Sequence, residues 1–151
     1  MRILILGIDG MIGHKIAQSL SHDFTVIGTT RKKIIPKNIG IKKGEFILHD
    51  FLTDDTSDLL TSINPDVIIN CVGITIRRGI AEKKNNSEII NSELPHIIDK
   101  WAVKYNKKLI HFSTDCIFSG NKGNYLDNST SDANDLYGLS KSKGEVDNNK
   151  S

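Results

Sequence analysis

The sequence predicts an α/β fold with a doubly wound parallel sheet of about five strands. Three observations indicate it: short apolar runs alternate with segments of helical periodicity, a glycine-rich turn follows the first run, and 151 residues suffice for one domain. Strands that alternate with helices predict right-handed crossovers and a parallel sheet. For a doubly wound sheet we expect the strand order 3-2-1-4-5.

The predicted elements follow one another closely along the chain. Residues 3–6 form an unbroken apolar run, which is typical of a strand covered on both faces. Over residues 11–20 the apolar positions repeat at helical spacing. The same patterns predict strands at 24–29, 45–49, 66–71 and 109–113, and helices at 58–63, at 87–105 and from 136 onward.

The composition excludes several classes of protein. Hydrophobic residues make up 38% and charged residues 25%, as in soluble globular proteins. No apolar run approaches the ~20 residues of a membrane-spanning helix, and a net charge of +2 is too small to indicate nucleic-acid binding. Two cysteines, Cys71 and Cys116, make neither a metal cluster nor a disulfide framework, and buried reduced thiols are expected. We expect a cytoplasmic protein without membrane or nucleic-acid partners.

The turn after the first strand carries glycines at positions 7, 10 and 13. A dinucleotide site needs small residues there, because the backbone turns sharply, a diphosphate approaches the amides of a helix N-terminus, and that helix packs closely on the strand. The spacing is GxxGxxG rather than the GxGxxG of ordinary dehydrogenases. We predict a cofactor site of the Rossmann type formed by Gly7, Gly10, Met11, Ile12 and Gly13. The alternative is a glycine-rich turn without a ligand.

The end of the second strand indicates which cofactor is used. The chain reads GTTRKK over residues 28–33, with no carboxylate to bind a ribose 2′-hydroxyl. Arg31 can hold a 2′-phosphate bidentately, and Thr30 can donate its hydroxyl. This favours NADPH, with NADH as the second choice. A solvated basic loop is the alternative interpretation.

Tyr137 and Lys141 are four residues apart, which places them on one face of a helix. A lysine ammonium lowers the pKa of a neighbouring tyrosine, which can then donate a proton to a carbonyl oxygen as hydride reaches the carbon. Thr114 follows the fifth strand, at the edge where parallel sheets bind ligands. Its hydroxyl either holds the same oxygen or bonds its own backbone.

Four segments, GIDGMIG, HFSTDCIFSG, NYLD and LYGLSKSKGE, occur in an order and spacing that resemble the extended short-chain dehydrogenase/reductase superfamily, and within it the dTDP-4-dehydrorhamnose reductase family. The resemblance covers essentially the whole chain. It implies that residues 1–151 are an NADPH-binding Rossmann domain, incomplete and without the C-terminal substrate domain of full-length members. By position it implies catalytic roles for Thr114, Tyr137 and Lys141, and cofactor contacts for Tyr137, Lys141, Asp50, Phe51, Cys71, Val72 and Gly73.

A proline lies inside the predicted helix 87–105. Pro95 clashes with the carbonyl four residues earlier and cannot donate to it, which leaves the carbonyl of Asn91 free. Asn91 resembles the asparagine that related reductases use to hold a proton-relay water. Our hypothesis is that Pro95 frees this carbonyl for such a water. A packing kink without a catalytic part is the alternative.

Several polar segments lie between the predicted elements. Residues 119–135 form a long loop of the kind that often binds ligands. Basic residues crowd the segment 31–44, and Arg77, Arg78, Lys83 and Lys84 follow the fourth strand, where they meet either a substrate diphosphate or solvent. The last helix has barely begun when the sequence stops, so we expect the front part of a larger protein. The fifth strand is then an exposed edge that a second chain could pair with, as in a homodimer.

The resemblance implies hydride transfer to the C4 ketone of a deoxy-sugar nucleotide, in surface polysaccharide biosynthesis. Alternatives are a nucleotide-sugar epimerase or dehydratase, and a non-catalytic NADP-binding regulatory subunit. Dehydratases need further carboxylates near the threonine, whereas Thr114-Asp115-Cys116 supplies one. The intact Thr114, Tyr137 and Lys141 argue against a regulatory subunit. For the isolated chain we expect weak NADPH binding and no turnover.

Overall fold

A computed structural model describes residues 1–32, 44–75 and 83–146. The lysines of 33–43, Arg77 and Arg78, and the polar tail from residue 147 lie outside these residues. No helix within the described ranges is long and apolar enough to cross a membrane.

Five parallel strands form one sheet in the order β3-β2-β1-β4-β5, which confirms the predicted topology. They are β1 (Arg2–Leu6), β2 (Thr25–Thr30), β3 (Gly44–Leu48), β4 (Val67–Asn70) and β5 (Lys108–His111). The strand order reverses between β1 and β4, and in such sheets the crevice at the carboxyl ends beside the reversal is where ligands bind.

The helices are α1 (Met11–Leu20), α2 (Thr56–Ile63), α3 (Lys83–Ser87), α4 (Leu94–Lys104) and α5 (Leu136–Lys143). A 3₁₀ turn, Asp115–Ile117, follows β5. Helix α2 begins two residues earlier than predicted, because Asp55 caps it by accepting a hydrogen bond from the Asp58 amide at 2.9 Å.

The predicted helix 87–105 is not a single α-helix. A π-helical turn, Glu88–Glu93, precedes α4, and the Leu94 amide donates to the Ile89 carbonyl five residues earlier. Pro95 lies in the first turn of α4, where a missing N–H is tolerated. The regular α-helix is therefore interrupted before Pro95, as expected, and the interruption takes the form of a π turn. Asn91 lies within this turn and is only 1% exposed.

The sheet has an apolar core on each face. Leu4, Leu6 and Ile68 pack under α2 and α4, whereas Ile3 and Ile5 pack under α1. Strand β1 is therefore covered on both sides, as its unbroken apolar run predicts. Strand β5 pairs with β4 alone among the described strands, so it is the exposed edge that we expected.

Helix α1 lies so close to the glycine turn that Gly13 has no room for a side chain. An added Cβ would overlap the Gly7 carbonyl oxygen and lie 3.1 Å from its carbon. We expect Gly13→Ala to lower the free energy of unfolding by about 1–3 kcal/mol in urea titrations, because overpacking displaces the backbone. The control is Gly73→Ala, whose Cβ would meet Asn91 Oδ1 at an ordinary 3.7 Å. Equal stability of the two variants would contradict the close contact.

Candidate functional site

A cavity of 540 Å³ lies at the carboxyl ends of the central strands, beside the reversal of strand order. Its volume is typical of small-molecule sites, about 300–1,000 Å³. Nine of the predicted cofactor residues line it: Gly7, Gly10, Thr30, Arg31, Asp50, Phe51, Cys71, Val72 and Gly73.

The glycine turn forms the floor of this cavity. Gly7 has a φ of +76°, which favours glycine, and its amide donates to Thr29 Oγ1 at 3.1 Å. Gly10 caps α1 without a side-chain hydrogen bond, so no cap side chain occupies the first amides of the helix. Of the predicted residues outside the lining, Met11 and Ile12 are 82% and 44% exposed, and the buried Gly13 brings α1 close.

The charges beside the turn include one ion pair that the sequence did not suggest. Lys32 Nζ lies 3.0 Å from Asp9 Oδ2, and both residues line the cavity. Arg31 is exposed at the same rim and takes part in no ion pair within the described ranges. Lys32 is thus paired with the glycine turn at this rim, and the ligand role of Arg31 stays a prediction.

The turn after β3 forms another wall. His49 is 6% exposed and packs edge-on against Phe51, with 4.6 Å between ring centroids. Its Nδ1 lies 3.8 Å from Asp54, which accepts a hydrogen bond from the Asp50 amide at 2.8 Å. Burial lowers the pKa of His49, and Asp54 partly opposes that effect. Sequence analysis missed His49, although a histidine directly before Asp50 at a strand end was a usable signal.

Helix α5 holds Tyr137 and Lys141 one turn apart on one face, as predicted. Asp135 caps the helix by accepting from the Gly138 amide at 2.9 Å. A Cβ at Gly138 would overlap the carbonyl oxygen of Cys116, so α5 packs directly on the 3₁₀ turn that follows Thr114.

Thr114 caps that 3₁₀ turn. Its Oγ1 accepts from the Cys116 amide at 3.2 Å and donates to Asp115 Oδ1 at 3.3 Å. This is the local bonding of the alternative interpretation. The catalytic role of Thr114 stays a prediction.

Lys141 is buried at the end of β5. Its Nζ donates to the Phe112 carbonyl at 2.6 Å and lies 3.3 Å from His111 Nε2. Burial lowers the pKa of Lys141, and Glu145 partly opposes that effect. Burial, Lys141 and His96 lower the pKa of His111 to about 4. Sequence analysis did not single out His111, because a lone histidine at a strand end carries little signal.

Asn91 joins the cavity wall to α5. Its side chain accepts from the Ile74 amide at 2.9 Å and donates to the Ile74 carbonyl at 2.9 Å and to Ser140 Oγ at 3.0 Å. The backbone carbonyl of Asn91 lies against Gly144, so that a Cβ added at Gly144 would overlap the Asn91 carbonyl oxygen. The side chain of Asn91 thus links the cavity wall to α5, and its role in holding a relay water stays a prediction.

The two cysteines differ from each other. Cys71 is half-buried in the cavity wall, and burial raises the pKa of its thiol to about 11. Cys116 is exposed, so the expectation of a buried thiol is wrong there, because the residue lies in the 3₁₀ turn outside the sheet. Within the described part of the chain no group of His, Cys, Asp or Glu could hold a metal ion.

The long loop after the 3₁₀ turn is held together internally. Asp132 accepts from the Ser119 amide at 2.7 Å, from Ser119 Oγ at 2.9 Å and from the Tyr125 hydroxyl at 3.0 Å. Tyr125 also stacks on Phe118, with centroids 4.4 Å apart. These contacts order the loop that carries the chain from the 3₁₀ turn to α5.

The sheet order, the glycine turn and the Tyr137–Lys141 helix define a Rossmann-type domain of the extended short-chain dehydrogenase/reductase superfamily. Residues 1–150 match the family described as the RmlD substrate binding domain, and the chain belongs to that family.

Curated relatives named dTDP-4-dehydrorhamnose reductase are similar over nearly the whole chain. The Burkholderia thailandensis protein is 24% identical over 147 residues, which are 97% of this chain and 45% of that relative. The Shigella flexneri protein is 23% identical over 146 residues, which are 96% of this chain and 46% of that relative. The chain thus spans about half the length of the curated relatives it matches.

Solved structures show the same fold. A hypothetical dTDP-4-dehydrorhamnose reductase from Sulfolobus tokodaii superimposes with a TM-score of 0.81 at 29% identity, over 95% of this chain and 50% of that one. A Bacillus cereus UDP-glucuronic acid 4-epimerase in complex with NAD gives a TM-score of 0.72 at 23% identity, over 95% of this chain and 49% of that one.

The lowered pKa of His111 predicts how stability depends on pH. Between its usual value of 6.5 and its folded value of about 4, the unfolded chain binds more protons, so stability falls as the pH drops through this window. One proton gives a slope of at most about 1.4 kcal/mol per pH unit. We expect His111→Gln to flatten the slope measured by urea unfolding from pH 7 to 4.5. His22→Gln, at an exposed position, is the control, and an unchanged slope in His111→Gln would contradict the assignment.

Proposed function

We propose that this chain is the cofactor-binding part of an NADPH-dependent reductase of a 4-keto-deoxy-sugar nucleotide. The supporting observation is the link through Asn91, which bonds the wall of the glycine-turn cavity at Ile74 and the Tyr137–Lys141 helix at Ser140. The names of the relatives support the substrate class, since curated proteins similar to this chain are called dTDP-4-dehydrorhamnose reductase.

The residues of the cavity fit a dinucleotide phosphate. The amides at the start of α1 suit a diphosphate, because a helix N-terminus without a side-chain cap offers free donors and a positive dipole end. Asp50 and Phe51 would hold the adenine, and Arg31 a 2′-phosphate, with Thr30 beside it. Cys71, Val72 and Gly73 would pass beside the cofactor, as the resemblance implies. NADPH supplies a hydride when bound.

The residues of α5 would carry out the proton transfer to the substrate. Tyr137 would donate its phenolic proton to the carbonyl oxygen of the substrate, and Lys141 would orient the nicotinamide ribose and lower the barrier to that transfer. The Thr114 hydroxyl would hold the same carbonyl oxygen after leaving its local bond to Asp115. Asn91 would keep α5 at a fixed distance from the cavity.

The match spans about half of the length of the curated relatives. A further domain would supply the nucleotide-sugar site. The enzyme would act in the cytoplasm, in the biosynthesis of surface polysaccharide, with a homodimer as one arrangement.

Cofactor preference tests the role of Arg31. We expect the purified chain to bind NADPH more tightly than NADH in calorimetric titrations, since a charge-assisted contact to a phosphate is worth about 1.5–3 kcal/mol, or roughly 10–150-fold in affinity. Arg31→Ala should remove this difference, whereas Lys15→Ala, on the exposed face of α1, should keep it. Equal affinities in the unaltered chain would exclude Arg31 from the site, and no binding of either would contradict the proposed function.

Variants of α5 separate binding from chemistry. We expect Lys141→Met to weaken NADPH binding about 10-fold through loss of a charged hydrogen bond. Tyr137→Phe should leave binding within about twofold, since it removes a single hydroxyl group and keeps the ring. The 151 residues alone should show no steady-state reduction, because the proposed nucleotide-sugar site belongs to a further domain. Turnover near ~1 per second by the 151-residue chain would contradict the need for that domain.

A further inference from the structure

A chain of hydrogen bonds runs from the cofactor cavity to Lys141. The amide of Val72, in the cavity wall, donates to Asn70 Oδ1 at 3.1 Å. Asn70 Nδ2 lies 3.2 Å from His111 Nδ1, and His111 Nε2 lies 3.3 Å from Lys141 Nζ. Lys141 in turn donates to the Phe112 carbonyl at 2.6 Å.

The donor and acceptor of each hydrogen bond in this series follow from the first bond, between Val72 and Asn70. A backbone N–H can only donate, so Asn70 must present its oxygen to Val72 and its NH₂ group to His111. The NH₂ group is a donor, and His111 Nδ1 must therefore be the unprotonated, accepting nitrogen. A neutral imidazole then carries its proton on Nε2, which becomes a donor that faces Lys141.

An ammonium cannot accept that hydrogen bond. A charged Lys141 would place two donors face to face at 3.3 Å, whereas a neutral amine accepts from Nε2–H with its lone pair and still donates to Phe112. If the imidazole proton were on Nδ1 instead, Nδ1–H and the NH₂ group of Asn70 would be two donors facing each other at 3.2 Å. A neutral amine is thus the one state in which every bond of the chain has a donor and an acceptor.

The electrostatic surroundings agree with this state. Burial and the neighbouring His96 oppose a positive charge on the imidazole of His111, which favours the neutral ring that this state requires. Burial also lowers the pKa of Lys141, and Glu145 partly opposes this. His96 itself contacts the Lys143 carbonyl at 2.7 Å, and Glu145 accepts from Ser113 Oγ at 2.6 Å.

We propose that His111 is a positioning residue that holds Lys141 as a neutral amine, turned towards the Phe112 carbonyl, in the cofactor-free protein. Its relevance to catalysis rests on the proposed function. To serve a bound ribose and Tyr137, Lys141 leaves His111, and its lone pair takes one proton from a buffer acid to form the ammonium. Cofactor binding is then accompanied by proton uptake.

The first test needs neither cofactor nor variant. In the free chain labelled with ¹³C and ¹⁵N, long-range ¹H–¹⁵N spectra report the tautomer of His111, and the ¹³Cε shift of Lys141 reports its charge. We expect the Nε2–H tautomer to persist from pH 8 to about 5, and the amine of Lys141 to gain its proton well below the usual lysine value of about 10.4. An Nδ1–H tautomer, or an ammonium at pH 8, would overturn the proposal.

The matched variant is Asn70→Asp. A carboxylate still accepts from Val72 but can only accept from His111, so the imidazole proton must move to Nδ1 and Nε2 becomes an acceptor for an ammonium. We expect the tautomer to reverse and Lys141 to be protonated at pH 8. Asn85→Asp, at an exposed position in α3, adds the same charge elsewhere and should leave both signals unchanged. An unchanged His111 tautomer in Asn70→Asp would refute the donor and acceptor roles assigned to these hydrogen bonds.

Proton uptake connects this inference to the cofactor. Calorimetric titration with NADPH in two buffers of different ionisation enthalpy should show uptake by the unaltered chain and loss of most of it in Asn70→Asp. Binding without proton uptake would overturn the inference and leave the proposed function intact. Failure of NADPH to bind would contradict the proposed function, while the spectra of the free chain would still decide the state of Lys141.

Discussion

The assembly of the site depends on one buried amide, the side chain of Asn91. Its hydrogen bonds to both backbone groups of Ile74 and to Ser140 join the segment after β4 to α5, whose main neighbours are the π turn, the 3₁₀ turn and α3. A buried amide that lost these partners would carry a desolvation penalty of about 1–3 kcal/mol. The geometry between the cavity and the Tyr137–Lys141 pair is therefore set by polar bonds rather than by packing alone.

Close backbone contacts provide the second constraint. Gly13 lets α1 approach the turn after β1, Gly138 lets α5 rest on the carbonyl of Cys116, and Gly144 lies against the carbonyl of Asn91. Each contact exists because no Cβ is present. Gly13 in α1 and Gly138 in α5 thus have the same structural role, since each lets a helix pack directly on a backbone carbonyl.

The sequence was sufficient to predict what depends on periodicity and spacing. The strand order, the span of α1, the glycine turn and the Tyr137–Lys141 face all follow from local patterns, and the structure agrees with them. The π turn before α4 was not predicted beyond an interruption at Pro95, because five-residue bonding leaves no distinct pattern. The contacts of His111 with Asn70 and Lys141 join residues 41 and 30 positions apart, which a single sequence does not pair. His49, by contrast, contacts Phe51 and Asp54, which follow it closely in the chain.

The hydrogen bonds from Val72 to Lys141 have a fixed order of donors and acceptors, which the distances alone do not show. Val72 is both a wall of the cavity and the donor that orients Asn70, so the backbone that a cofactor would touch also determines which nitrogen of His111 carries the proton. A movement of Val72 by a fraction of an ångström would weaken that first bond and free Asn70 to turn. Through this arrangement the charge state of Lys141 is coupled to the conformation of the cavity wall, although the two groups do not touch.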